Sequence, residues 1–243
     1  MITDPIPQLK ELWKAAFADT EEAIDTFFSI AYSPDRCRYL TQDGKIVCAL
    51  YWFDAQYHGY KLAYLYAVAT LPAYRGKGLA SRLIEQTHHH LKDLGYAGSV
   101  LKPAEGLFPF YEKLGYITSG YIRRFSAVSG DRPIPLNVLS SAEYAAARRK
   151  YLPADGMIQE GATLDYLESY AVFYEAENAL VCVVREESVI LEYLGDSNAA
   201  AGVLAALQIP SAVLPGPGNE LPYAMFHALV PCPIPGYLGI ALE

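Results

Sequence analysis

The stretch Val68–Ser81, VATLPAYRGKGLAS, limits more than any other what this chain can fold into. An apolar, strand-like approach breaks at Pro72, and Arg75-Gly76-Lys77-Gly78-Leu79-Ala80 then enters a helical pattern that continues through Arg82, Leu83, Gln86 and Thr87. Two glycines at a strand-to-helix turn let backbone approach a ligand without interference from Cβ atoms. The first helical turn adds amide N–H groups with no partner inside the helix, at the end where the dipole favours negative charge. Arg75, Lys77 and Arg82 bring three cations to the same few residues. The expected structure is a phosphate cradle. It is not a nucleotide P-loop, because Lys77 is followed by Gly78 where Ser or Thr is required. Nor is it the full dinucleotide fingerprint, because Ser81 stands where the third glycine or alanine belongs.

The cradle is a local feature on an acidic chain. The 243 residues carry 19 Lys and Arg against 27 Asp and Glu, a net charge of −8, which argues against nucleic acid or an anionic membrane as the main partner. With 52% hydrophobic and 19% charged residues the chain is globular, with enough length for one large or two small domains. Cys37, Cys48, Cys182 and Cys232 form no C-x-x-C pair, which suits buried thiols in a reducing, cytoplasmic setting. No basic-then-apolar leader and no apolar run near 18 residues is evident.

Around the cradle the periodicities define an α/β chain with a mixed sheet. Helical spacing covers residues 7–31, with Asp19 or Thr20 as a cap between two segments. Strands are expected at 38–43 and 45–53, joined at Asp43-Gly44, and at 60–70 and 99–103. Strict alternation in 60–70 puts Tyr64, Tyr66, Val68 and Thr70 on one face. His88, His89 and His90 follow one another on the cradle helix, too close in sequence to converge on one ion, and read as a solvated face; no metal is called for. After the strand 121–128, residues 129–138 read as a proline-stiffened linker. Ser140 and Glu143 form a capping box for a helix to about Tyr151. A helix near 163–170, strands at 179–184 and 188–194, a helix at 197–207 and strands at 211–214, 223–230 and 236–242 complete the chain.

Two signatures together resemble the GCN5-related N-acetyltransferases. Arg75, Gly78 and Ala80 fit that family's R-x-x-G-x-A pyrophosphate signature, and residues 107–116, LFPFYEKLGY, look like its second signature, in the family's order and with a helix between them. The resemblance covers roughly residues 1–127. It implies the GNAT fold, with splayed central strands, over 1–128. Residues 139–243 then form a second, degenerate lobe of the same kind, as in the bacterial enhanced-intracellular-survival acetyltransferases. It also implies acetyl-coenzyme A as co-substrate, held by Val68, Ala69 and Thr70 on the strand, by Arg75, Gly76, Lys77, Gly78, Leu79, Ala80 and Ser81 in the cradle, and by Ala104 and Glu105 beyond it. Tyr111 aligns with the tyrosine that protonates the departing sulfur in many members. The glutamate that many members place on the 60–70 strand is replaced here by tyrosines, which leaves Asp54, His58 and the carboxylate of Glu243 as candidate bases.

The function so implied is acetyl transfer to a primary amine, on a small molecule or peptide, by direct attack in a ternary complex. Two rivals stay open: an acyl-coenzyme A-binding regulatory module, and a transferase that uses aminoacyl-tRNA. The second lobe reads as a wall of the acceptor pocket or as a surface for homo-oligomer formation.

Overall fold

The computed structural model describes residues 3–185 and 187–242. Two helices open the chain. The first, α1 (Ile6–Phe17), buries Leu9, Leu12 and Trp13 and stops at Ala18, whose backbone is left-handed. The second, α2 (Glu21–Ile30), starts at Thr20, whose hydroxyl accepts a hydrogen bond from the Ala23 amide at 3.2 Å. Thr20 is therefore the cap, and Asp19 is left for another partner.

A strand hairpin follows, β1 (Cys37–Gln42) and β2 (Lys45–Tyr57), turning at Asp43-Gly44 as the sequence indicates. The second strand runs four residues past the apolar stretch that marks it in sequence, through Asp54 to Tyr57, before turning into β3 (Tyr60–Thr70). Then come α3 (Leu79–Asp93), β4 (Gly98–Leu101), the short α4 (Phe108–Glu112) and β5 (Ile117–Val128).

Past residue 130 the order is β6 (Asn137–Leu139), α5 (Ser141–Tyr151), β7 (Ile158–Gln159), α6 (Ala162–Glu168), β8 (Ala171–Ala176), β9 (Ala179–Val184), β10 (Ile190–Gly195), α7 (Ala200–Leu207), β11 (Ser211–Pro217) and β12 (Leu221–Ala228). The Ser140–Glu143 capping box is formed in full at the start of α5. Three short strands, β6, β7 and β8, have no counterpart in the sequence reading. Conversely, residues 236–242 make one isolated bridge, Gly156 to Tyr237, and no strand.

The strands form a mixed sheet in the order β1-β2-β3-β4-β12-β5-β11, and a second, antiparallel sheet in the order β10-β9-β8-β6. Among the described residues of the first sheet only β3 and β4 pair in parallel; β7 adds to β2 where β1 has ended. The arrangement is the two-lobed α/β one, but the chain crosses between lobes. The late strand β12 lies between β4 and β5, with Met225 opposite Leu101 and Leu221 opposite Ile122, and β11 completes the far edge against β5.

The core ignores the linker as well. One face of the first sheet packs Leu9, Trp13 and Phe27 against Tyr51, Tyr64 and Tyr166, and the same apolar cluster continues to Phe173, Leu180 and Leu194 in the second lobe. The other face packs α3 through Leu83, Ile84 and Leu91 onto Leu50, Trp52 and Leu65. Each such buried side chain contributes roughly 1.5–3 kcal/mol. All four cysteines are free, three of them buried. No helix among the described residues is long and apolar enough to cross a membrane.

Candidate active site

The site begins where β3 and β4 part. Their ladder holds only three pairs, Leu62–Gly98, Ala63–Ser99 and Tyr64–Val100. β4 then ends at Leu101 while β3 runs on to Thr70, so the far half of β3 faces a cleft instead of a strand.

That half of β3 also carries a bulge. Ala49 pairs with Ala69 and Tyr51 with Tyr66, which leaves Ala67 and Val68 together opposite Leu50, with Ala67 at φ 48°. The extra residue shifts the alternation. Tyr64, Tyr66, Ala67 and Ala69 pack with the α1 side of the sheet, and Leu65 and Val68 with the α3 side. Thr70 follows Val68, its hydroxyl donating to Cys48 Sγ at 3.3 Å. The shared face expected for Tyr64, Tyr66, Val68 and Thr70 is thus split at Ala67.

Two cavities meet along this cleft. The first, about 580 Å³, is lined by Val68, Ala69 and Thr70 from β3 and by Arg75, Gly76, Gly78, Leu79, Ala80 and Ser81 from the turn and the start of α3. Gly76 and Gly78 have φ of 74° and 72°, a conformation costly for any residue with a Cβ, and the space in front of both is open. Arg82 donates its amide to Gly78 carbonyl at 3.0 Å as the first bond of the helix. The amides of Leu79, Ala80 and Ser81 therefore precede the ladder and are available at the cavity wall. Arg75 is fixed by its Nε, which donates to the Thr70 carbonyl at 3.1 Å. A pyrophosphate fits such a wall. Lys77 and Glu105 lie outside both cavities; Lys77 is exposed, with Nζ 4.8 Å above the Tyr74 ring.

The second cavity, about 520 Å³, is lined from α1 by Trp13 and Phe17, from β3 by Tyr64 to Val68, and from the β4 end by Leu101 to Ala104. Asp19 and Leu242 close it. Ala104 thus faces this cavity and not the cradle.

Tyr111 lines both cavities, as do Phe17, Val68 and Leu107. Its ring is held by Phe110 at 4.9 Å and edge-on by Tyr116 at 5.6 Å between centroids. Burial pushes the Tyr111 hydroxyl up to about 12, so it keeps its proton throughout the neutral range.

Beneath Tyr111 lies a buried polar cluster that the sequence reading missed. The Tyr116 hydroxyl meets His88 Nε2 at 2.9 Å and Ser99 Oγ at 2.7 Å, and Ser99 Oγ meets His88 Nε2 at 3.0 Å. His227 of β12 stacks on His88 at 4.2 Å. Burial, and then the neighbouring His227 and His89, lower His88 to about 3. Only His89 of the three consecutive histidines is exposed, so the expected solvated face is corrected: His88 follows Ile84 by four and precedes Leu91 by three, on the buried stripe of α3.

The candidate bases fare differently. Asp54 is held by Arg36 Nη1 at 3.1 Å, by Lys61 and by the Tyr96 hydroxyl, and lies outside both cavities. His58 sits exposed in the β2–β3 turn against Tyr57. Glu243 lies outside the described residues. Among the described residues lining the two cavities the one carboxylate is Asp19, which accepts the Trp13 Nε1–H at 2.7 Å.

Residues 2–118 match the model of an acetyltransferase (GNAT) domain. No curated protein matches the chain. Solved structures match nearly all of it in fold. A GCN5-related N-acetyltransferase from Kribbella flavida is 17% identical with a TM-score of 0.68, over 92% of this chain and 68% of that one. One from Anabaena variabilis is 16% identical with a TM-score of 0.71, over 94% and 71%. Eis1 from Mycobacterium abscessus is 11% identical with a TM-score of 0.66, over 94% and 72%. By that match residues 2–118 are an acetyltransferase (GNAT) domain, and the chain as a whole has the fold of the solved GCN5-related N-acetyltransferases.

Proposed function

We propose that this chain is an N-acetyltransferase that uses acetyl-coenzyme A and transfers the acetyl group to a primary amine by direct attack within a ternary complex. The observation that carries the reading is the place of Tyr111, on the wall common to the cradle-side and acceptor-side cavities.

The cradle-side cavity suits the coenzyme: open space before Gly76 and Gly78, three helix-start amides, and Arg75 beside them. The half of β3 beyond β4, still paired with β2 on its other side, would offer its open edge to the pantetheine arm at Val68, Ala69 and Thr70. The co-substrate supplies the activated acyl group. Burial keeps Tyr111 a neutral phenol, so it would hold its proton until the sulfur departs and a thiolate is there to receive it. Asp19, on the acceptor-side wall, would draw a positively charged amine toward the cleft.

Calorimetric titration of acetyl-coenzyme A tests this directly. Wild type binds, and Gly78→Trp, which fills the cradle and forces a side chain into a left-handed backbone, does not. Tyr111→Phe keeps the affinity and loses on the order of a hundredfold in kcat in a thiol-release assay with an amine panel. Folded wild-type protein that fails to bind would overturn the reading.

A further inference from the structure

A primary amine of the chain itself stands on the acceptor-side wall. Lys102 is the first residue past β4, at the fork where β3 and β4 part. Leu101 before it packs on the α3 side of the sheet. Lys102 is held over the Tyr223 ring of β12, with Nζ 5.4 Å from the ring centroid, and Tyr223 packs with the cluster of the α1 side that contains Tyr64. Lys102 is half-buried, and of the described residues lining the two site cavities it is the one lysine. Lys77 and Lys113 are exposed and line neither.

The cavity that Lys102 lines is also lined by Tyr111, and the cradle-side cavity reaches the same tyrosine with Phe17, Val68 and Leu107. An acyl group carried along the cradle side would therefore enter Lys102's cavity at that junction. The lysine amine sits on a flexible four-carbon stem, and a nucleophile tethered beside the reacting carbon needs no diffusional encounter. Burial, and then the nearby Arg124, lower its ammonium below the ordinary lysine range. More of it is thus the neutral, nucleophilic amine.

We propose that Lys102 is a self-acylation site: with no acceptor bound, its Nζ takes the acetyl group from acetyl-coenzyme A. The inference rests on the acyl-transfer reading above and adds an acceptor that the chain itself supplies. The neutral amine attacks the thioester carbonyl carbon, an N–C bond forms, and the C–S bond breaks. Sulfur leaves with the electron pair and takes the Tyr111 proton. The proton that the attacking nitrogen sheds goes to solvent, from which the Tyr111 hydroxyl is restored. What remains is a neutral acetamide on the wall that also carries Asp19.

The test incubates the protein with acetyl-coenzyme A and no amine, follows thiol release, and maps acetylated lysines by peptide mass spectrometry. Wild type should release a single burst of about one thiol per chain and carry the acetyl group at Lys102, labelled at least about tenfold faster than Lys77 or Lys113. Lys102→Arg, which keeps a cation over the Tyr223 ring, should show no burst. Tyr111→Phe should slow labelling at Lys102 on the order of a hundredfold while leaving Lys77 unchanged. A burst that persists in Lys102→Arg, or Lys102 labelling that Tyr111→Phe leaves unchanged, overturns the proposal. Turnover of added amines with Lys102 unlabelled overturns it alone and spares the acyl-transfer reading. Labelling of Lys102 with no turnover of any amine supports it and overturns the reading of a free amine as acceptor. Folded protein that does not bind acetyl-coenzyme A in calorimetry overturns both.

Discussion

His88 holds a cost that acid exposes. In the unfolded chain its imidazole titrates near 6.5, and in the fold burial and His227 lower it to about 3. A depressed pKa contributes stability that is present above about 6.5 and is lost as pH falls toward 3, because only the unfolded chain takes up the proton in that window. The thermal midpoint should therefore fall as pH drops below 6.5, with a loss on the order of a few kcal/mol by the bottom of the window. His88→Gln, which keeps a polar partner for Tyr116 and Ser99 without the titration, should flatten the slope in pH-dependent calorimetry. An unchanged slope would assign the acid sensitivity to other groups. Residues of this kind mark the limit of what could be read beforehand. The glycine turn was legible because its signals are local, two glycines and three cations within eight residues. His88 was hidden by being read as one of a run, although its spacing from Ile84 and Leu91 carried the information. Asp19 was hidden because it competes with Thr20 for the same capping role.

Elements were legible where capping or turn chemistry marks their ends, as at Asp43-Gly44 and Ser140–Glu143. β8 was missed because it runs on from α6 after only two residues, with no turn signal between them. The bulge at Ala67 was missed because alanine does not announce a left-handed backbone. The segment 236–242, expected as a strand, is instead held by side chains. Arg148 and Glu192, both fully buried, pair through two bonds of 2.8 and 2.9 Å, and Tyr144 and Tyr237 donate to the same carboxylate. Arg148 also donates to the carbonyls of Met157 and Leu238, and Gln159 to that of Ile240. That network fixes the segment whose Leu242 closes the acceptor-side cavity, and the Leu242 amide donates to the Tyr64 hydroxyl at 3.0 Å. Arg148→Met would strand a buried carboxylate and should cost about 3–5 kcal/mol in denaturant melts. Adding Glu192→Leu should recover much of it; no recovery would show that the pair contributes more than mutual neutralisation.

At the scale of the molecule, the lobes are continuous in core and in sheet. Residues 1–128 alone would leave β4 and β5 without β12, whose Met225 and Phe226 are buried, and Phe226 packs against Gly98 so closely that no side chain fits there. The fragment should express as aggregate or show no cooperative melt, although it contains the whole cradle and Tyr111; a soluble, cooperatively melting fragment would contradict this. No periodicity could have shown where β12 goes, because its place is set by pairing over more than a hundred residues of chain.

The position of β12 also sets a timetable. Gly98 waits for Ala228, so a ribosome adds more than a hundred further residues before the central ladder can close. Contacts of such long range form slowly, and until they do the strand edges beside Tyr111 stay open to mispairing. The growing chain can thus carry every residue of the cradle and yet hold none of them in working order. Order arrives late and all at once, and a polypeptide interrupted before residue 228 holds the cradle residues without the strand that closes the sheet around them.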